Sequence, residues 1–383
     1  MTYSLGSLFD GSGGFPLAGT LCGIEPRWAS EVEPYPIAVT RSRFPTMKHL
    51  GDISKINGAE IEPVDIITFG SPCQDLSMAG KRAGINEGTR SGLFIEAVRI
   101  IKEMSEATNG KYPTFALWEN VPGAFSSNKG EDFRLVLEEL IKIVEPSATV
   151  PEVPSKGWAY ADSYLGEGWS LAYRVLNAQH WGVAQRRRRV FLVLDLRGER
   201  ACQVLFEREG LRGNFIPNTT ARQENTAGTQ GGTGTKTAST YIIDQIGGRG
   251  EFYQKSIISP TLRAGGVCAI IYETSAEKYV VRRPTPTECA RLQGFPDDWG
   301  RPKTKEELTE EAFRFWKEVR NTHAVVNGRA AKDYTEKQML AWYNKLHSDS
   351  AEYKMWGNGI ALPTALYCMQ GLADALSTER RNT

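Results

Sequence analysis

Four short, almost unbroken apolar runs punctuate the chain as far as residue 194: Tyr3–Leu8, Asp65–Phe69, Phe115–Trp118 and Val190–Leu194. A strand with one wet face alternates apolar and polar residues. A strand that is apolar throughout is buried on both faces, as in a parallel sheet covered by helices above and below. Helical patterns at Gly92–Met104 and Glu131–Val144 fall between the runs. This alternation predicts an α/β fold with a doubly wound, mostly parallel sheet. Such sheets bind ligands at the carboxyl ends of their strands.

The 383 residues give room for two units. After Leu196 the character changes. Asn218–Thr240 is rich in Thr and Gly and reads as a loop, and strand-like pieces follow at Tyr241–Ile246, Ser256–Leu262 and Val267–Tyr272. This is a smaller, β- and loop-rich unit. Lys303–Tyr353 is helical and charged, with Phe313, Phe315, Trp316, Met339, Leu340 and Trp342 as candidate core residues, and Ile360–Leu376 reads as a closing apolar helix. The expected organisation is a catalytic domain of residues 1–194 and 354–383, a second domain of 195–300, and a helical insertion of 301–353.

A chain 40% hydrophobic and 24% charged is of the water-soluble globular class. It has no apolar run of membrane-spanning length, and Met1–Gly6 has no secretory character. Neither a membrane nor a secretory destination is expected, and the setting predicted is cytoplasmic. The six cysteines form no CxxC pair and no zinc-like cluster with His, so no metal is expected and a reducing compartment is. Net charge is only +1, but Gln185–Arg283 holds 16 Lys or Arg against nine Asp or Glu, so it carries +7 and the remainder −6. That division fits one part facing a polyanion, or an unevenly charged solvated surface.

The chemistry-bearing residues cluster at strand ends. Leu8–Phe15 places Gly11, Gly13 and Gly14 between the first strand and a helical pattern. Such a turn lets backbone N–H groups approach an anion or nucleotide, or it is an ordinary βα turn. Its spacing is not that of a dinucleotide fingerprint. Glu31 and Asp52 follow the next two strand candidates, where acids accept hydrogen bonds from ribose or an adenine amine, or are simply solvated. Asp65–Phe69 runs into Gly70-Ser71-Pro72-Cys73-Gln74, putting a thiol on a polar loop at the ligand edge. Cys73 is a candidate nucleophile if its thiolate is favoured locally; otherwise it is an inert cysteine. Glu119, in Glu119-Asn120-Val121 after Phe115–Trp118, is a candidate proton donor beside it, or a helix cap or ion-pair partner. Along Gln185–Val190 strand alternation puts Arg187 and Arg189 on one face and Arg186 and Arg188 on the other.

Taken in this order, the motifs resemble those of DNA (cytosine-5) methyltransferases. The resemblance runs from Leu5 to about Leu376, leaving out Lys303–Tyr353. Phe9–Phe15 is similar to the family's FxGxGG turn, Pro72-Cys73-Gln74 to its nucleophile motif, Glu119-Asn120-Val121 to ENV, and Gln185, Arg187 and Arg189 to QxRxR. Thr89–Phe94 resembles a segment lining the cofactor site, and Arg283–Pro296 the motif that shapes the recognition domain, with Cys289 in a packing role. Gly357-Asn358-Gly359 resembles the terminal GNS turn, except that Gly359 stands where Ser is usual.

The resemblance implies S-adenosyl-L-methionine as cofactor, held by Phe9, Asp10, Gly11, Gly13, Gly14, Glu31, Val32, Asp52, Ile53, Pro72, Leu93, Asn358 and Gly359. It implies double-stranded DNA as partner, met by Gln74, Ser77, Lys81, Arg82, Gln185, Arg249 and Arg263. Arg249 and Arg263 would meet guanine or phosphate, and the loop Asp75–Gly88 would close over the DNA. The implied catalytic set is Cys73, Glu119, Arg187 and Arg189, acting on a cytosine flipped out of the helix. It further implies a monomer that serves restriction–modification, beside a separately acting endonuclease, or phage self-protection. The rival readings are an RNA cytosine methyltransferase, which the separate recognition region and Pro72 argue against, an inactive DNA-binding regulator, which the intact Cys73, Glu119 and Arg189 argue against, and a thiol redox protein, which lacks a resolving cysteine.

Overall fold

A computed structural model describes residues 2–71, 92–206, 241–244, 252–254, 268–273, 279–301 and 309–382. Its centre is an eight-stranded sheet. The strands are β1 (Tyr3–Leu8), β2 (Ile24–Ser30), β3 (Lys48–His49), β4 (Ile66–Phe69), β5 (Phe115–Asn120), β6 (Ala161–Gly166), β7 (Trp169–Asn177) and β8 (Arg188–Asp195). They lie in the order β3-β2-β1-β4-β5-β8-β7-β6. The first five are mutually parallel, and β8, β7 and β6 join antiparallel. The expectation of a parallel strand at Val190–Leu194 is therefore corrected in direction. The run is apolar throughout because both its faces are covered, and burial does not encode direction. Residues 161–177, to which the apolar runs assign no strand, form the hairpin β6–β7 around Gly168, whose φ of 77° a side chain would resist.

Each strand feeds two cores. Leu5, Ile66, Phe115, Leu117, Phe191 and Val193 face one layer of helices. That layer includes α1 (Gly14–Leu21), α2 (Pro34–Arg43), α5 (Ala201–Leu205) and, farther along the chain, α10 (Leu362–Asn382). Leu8, Ile67, Phe69, Trp118, Val190 and Leu192 face α3 (Leu93–Ala107) and α4 (Glu131–Val144) on the other side. Helix α4 forms as its sequence dictates. Phe133, Val136, Leu137, Leu140 and Ile141 make one buried stripe, and Glu131 and Asp132 meet the positive end of the helix dipole. Each such buried side chain contributes roughly 1.5–3 kcal/mol.

A separate sheet holds β9 (Tyr241–Asp244), β10 (Phe252–Gln254), β11 (Cys268–Glu273) and β12 (Tyr279–Arg282) in the order β10-β9-β11-β12, all pairs antiparallel. The expected piece Ser256–Leu262 and the loop Asn218–Thr240 lie outside the described residues. Helix α6 (Pro286–Leu292) then starts at a Thr285/Glu288 capping box. Helices α7 (Glu310–Val326), α8 (Glu336–Asn344) and α9 (Asp349–Asn358) make up the charged stretch. It packs on α2, where Ile37 and Ala38 meet Ala312, Trp316, Val319, Met339 and Tyr343. Leu340, expected in this core, is instead 48% exposed. Met339 and Tyr343, four residues apart, take the inward face of α8 and turn Leu340 away from it.

Candidate active site

The carboxyl ends of β1, β2, β4 and β5 open on one edge of the sheet. At β1 the chain turns through Phe9, Gly11 and Gly13, with φ of 56°, 56° and 74°. Gly11 and Gly14 are there for different reasons. A Cβ on Gly11 would meet only the Phe9 carbonyl oxygen, at 3.9 Å, so this glycine serves its φ. One on Gly14 would lie 2.2 Å from Ile360 Cγ2, so that glycine serves packing against the far end of the chain. Glu31, at the end of β2, accepts the Gly11 N–H at 2.8 Å on Oε2, and those of Val32 and Glu33 at 2.7 and 2.9 Å on Oε1. It thereby ties the turn to the neighbouring strand. Burial pushes its carboxyl above the ordinary range against these three bonds. Asp10 is pushed up to about 8 by burial, which outweighs the hydrogen bond from Ser7 Oγ at 2.7 Å. Asp10 Oδ2 and Ser12 Oγ are buried with no hydrogen-bond partner among the described residues.

Two strands along, Glu119 pairs with Arg189 Nε at 3.0 Å. Antiparallel pairing of β5 with β8 brings them together, with Glu119 opposite Phe191 and Arg189 two residues earlier on β8. Both side chains are about seven-eighths buried. A Cβ at Gly70 would lie 3.3 Å from Glu119 Oε2, so the carboxylate sits against the backbone three residues before Cys73. Asn120 donates to the Ser71 carbonyl at 3.2 Å, and Trp118 Nε1 donates to Ser71 Oγ at 3.3 Å. The last described residues before the thiol are thus held from β5. Burial alternates along 186–189: Arg187 is buried, Arg189 part-buried, and Arg186 and Arg188 exposed.

The opposite end of the chain returns to this edge. Arg187 donates to the Gly359 carbonyl. Gln293, wholly buried, donates to the Trp356 carbonyl and accepts the Leu362 N–H at 2.9 Å through its own carbonyl. Trp299 Nε1 donates to the Ser12 carbonyl at 2.8 Å.

The sequence model of C-5 cytosine-specific DNA methylases matches residues 3–143 and 161–313. The chain belongs to that family. A relative from Escherichia phage P1, called a DNA N-6-adenine-methyltransferase, is 25% identical over 99% of this chain, which spans 62% of that protein's length. The Type II methyltransferase M.NgoBI of Neisseria gonorrhoeae is 29% identical over 78% of this chain and 84% of its own. The solved structure of S. pombe Dnmt2 methyltransferase superposes with a TM-score of 0.58 at 16% identity, covering 98% of this chain and 99% of that one.

The described residues expected to hold a cofactor fall into four groups. Phe9, Asp10, Gly11, Gly13, Gly14, Glu31 and Val32 line the first two strand ends. Asp52 caps the turn Ile53–Lys55, accepting the Ser54 N–H at 3.0 Å, and Ile53 beneath it is buried. Leu93 opens α3 and packs on the core below β4. Asn358 is exposed at the end of α9, and Gly359 is buried beside Ser12. Gln185, expected at DNA, is fully buried, and neither side-chain polar atom has a partner among the described residues. Cys289 is buried in the core. Pro72, Cys73, Gln74, Ser77, Lys81, Arg82, Arg249 and Arg263 lie outside the described residues, as does the loop Asp75–Gly88. Motif reading passes over Ser12, His49, Asn120 and Gln293. Ser12, Asn120 and Gln293 lie inside the segments Phe9–Phe15, Glu119-Asn120-Val121 and Arg283–Pro296, so each carries a signal, whereas His49 carries none.

Proposed function

We propose that this chain transfers a methyl group from S-adenosyl-L-methionine to carbon 5 of a cytosine flipped out of duplex DNA. The observation that carries the reading is the Glu119–Arg189 pair, which lies against Gly70 on the strand that leads into Cys73. Buried acid, buried cation and thiol are the groups that addition to a cytosine ring requires. The methyl donor fits the first strand end, where Asp10 Oδ2 and Ser12 Oγ are buried without partners among the described residues, beside the uncrowded Gly11. Phe9, Asp10, Gly11, Gly13, Gly14, Glu31, Val32, Asp52 and Gly359 would hold it. When bound, it supplies an electrophilic methyl sulfonium.

Carbon 5 of cytosine is a weak nucleophile until carbon 6 is attacked. The Cys73 thiolate forms a bond to carbon 6, and the ring electrons shift toward N3 and O2. Glu119 holds a proton at N3 and accepts from the exocyclic amine. Arg189 meets O2 and the developing negative charge, where a fixed cation in a water-poor site is worth most. Arg187, bound to the Gly359 carbonyl, positions the end of β8. Carbon 5 would take the methyl group as its bond to the donor's sulfonium sulfur breaks, leaving a neutral thioether; carbon 5 then loses its proton to a water, Glu119 takes back the N3 proton, and the C6–S bond breaks to return Cys73. The likeness to Type II methyltransferases supports duplex DNA as substrate and a restriction–modification or phage-protection setting.

The name of the phage P1 relative favours a second reading, methylation of adenine N6. An exocyclic amine attacks the methyl group directly and needs no thiol. Tritiated S-adenosylmethionine with mixed-sequence duplex separates the two. Label in cytosine, lost in Cys73→Ser, supports carbon 5 transfer. Label in adenine that survives Cys73→Ser overturns it.

A further inference from the structure

We infer that helix α7 builds the outer wall of the pocket that takes the adenine ring of the methyl donor. The inference rests on the reading just given, and deepens it by assigning part of the charged helical stretch to ligand binding. A cleft of about 60 Å³ opens between the ends of β2 and β3 and this helix. That is several times the ~10–15 Å³ that admits one water, so it suits a ring rather than an ion. On the strand side it is lined by Val32, His49 and Gly51, and one end reaches Glu31, the residue that ties down the glycine turn. On the helix side Phe315, Glu318, Val319 and Thr322 line it, at the i, i+3, i+4, i+7 spacing of a single helix face.

The polar groups of the cleft specify its ligand. Both ring nitrogens of His49 are buried and neither has a hydrogen-bond partner among the described residues. A buried polar group without a partner is disfavoured by about 1–3 kcal/mol, so an arrangement of this kind is completed by something that bonds it. Burial, with the nearby Arg41 cation, lowers the His49 pKa to about 4 and keeps the ring neutral. The two nitrogens of a neutral imidazole point apart, so one of them, as donor or as acceptor, can bond the edge of a neutral heteroaromatic ring. The carboxylates of Glu31 and Glu318 turn away phosphate or carboxylate ligands. The Glu318 and Thr322 side chains make no hydrogen bond or ion pair with other described residues. Glu318 is exposed at the rim, where it accepts from an amino group. Val32 and Phe315 give apolar surfaces to the ring faces. An amino-bearing purine satisfies all of these, and adenine is the purine of the methyl donor.

The wall is anchored independently of any ligand. Trp316 and Val319 pack on Ile37 of α2, and Phe315 lies against His49 with ring centroids 6.2 Å apart and under the Arg41 guanidinium at 4.3 Å.

The test is hydrogen exchange of the whole chain with and without S-adenosylhomocysteine, paired with calorimetric titration of that ligand into three variants. Glu318→Gln and Thr322→Val change the cleft face at part-exposed positions that leave the core intact. Lys317→Gln changes the far face. The result expected is slowed exchange in 315–322 as well as in 10–14, affinity reduced about 5–30-fold in the two cleft variants, and wild-type affinity in Lys317→Gln. Protection confined to 10–14, with wild-type affinity in all three variants, overturns the role of α7 and leaves the methyltransferase reading standing. No binding by the wild-type chain overturns both.

Discussion

Gly359 offers the sharpest test of how the two ends of the chain fit together. Its φ of −70° and ψ of 171° suit any residue, so serine, usual in the family at this turn, meets no backbone objection. The objection is space. A Cβ there would lie 2.8 Å from Ser12 Oγ, 3.1 Å from the Met355 carbonyl oxygen and 3.3 Å from Gln293 Oε1. The nearest neighbour is a hydroxyl that has no partner of its own among the described residues. Gly359→Ser therefore overpacks the site and should destabilise the chain by about 1–3 kcal/mol. Ser12→Ala should be neutral or stabilising without ligand, because it deletes a buried, unpaired hydroxyl. It also removes the 2.8 Å contact and leaves only the two longer ones, so the double variant should recover at least half of the loss, a coupling of roughly 1–2 kcal/mol. Urea denaturation of the four proteins, followed by tryptophan fluorescence, gives the cycle. Wild-type stability in Gly359→Ser, or strict additivity in the double variant, would show that the hydroxyl of Ser12 does not occupy the space of a residue 359 side chain.

Four further outcomes follow from the same geometry. Glu119→Gln should keep the fold and lower kcat by about 10²–10⁴-fold, measured as methyl transfer at saturating DNA; an unchanged rate would remove Glu119 from the chemistry. Gly14→Ala places a Cβ 2.2 Å from Ile360 Cγ2 and should destabilise by about 3 kcal/mol or more, with Ile360→Ala in the same chain restoring part of it. Trp316→Ala, emptying a fully buried site between α7 and α2, should lower stability by about 3–5 kcal/mol, read by thermal melting. His49 carries a pH signature: its native pKa near 4 lies below the ordinary 6.5, so the unfolded chain takes up its proton first as pH falls. Stability should be lost between about pH 6.5 and 4, by up to roughly 3 kcal/mol, and His49→Phe should flatten that part of the curve; an unaltered slope would show that another group is titrating.

Much of this arrangement is legible in the sequence because it is local. Tyr3–Leu8 and Glu131–Val144 carry their own periodicity, and the structure forms them at those bounds. The expected alternation of Arg186–Arg189 appears in their burial, although β8 begins only at Arg188. What is not legible depends on partners distant in the chain. The direction of β8 is set by β5 and β7, and a run buried on both faces looks the same either way. Glycine motifs do not say that Gly11 answers to backbone conformation while Gly14 answers to Ile360, almost 350 residues away. His49 is an unremarkable strand residue until α7 arrives to cover it, and Leu340 reads as core until Met339 and Tyr343 take that face.

The packing of α10 on α1 and α5 sets the order in which the molecule can be completed. One face of the sheet is sealed by the segment of the chain made after everything else described. During synthesis β1 and α1 emerge early but keep an apolar flank uncovered until residues 362–382 leave the ribosome. Assembly of that core is therefore a late event, and a chain interrupted before Leu362 presents Phe15, Ala18, Val204 and Leu205 to whatever else is in solution.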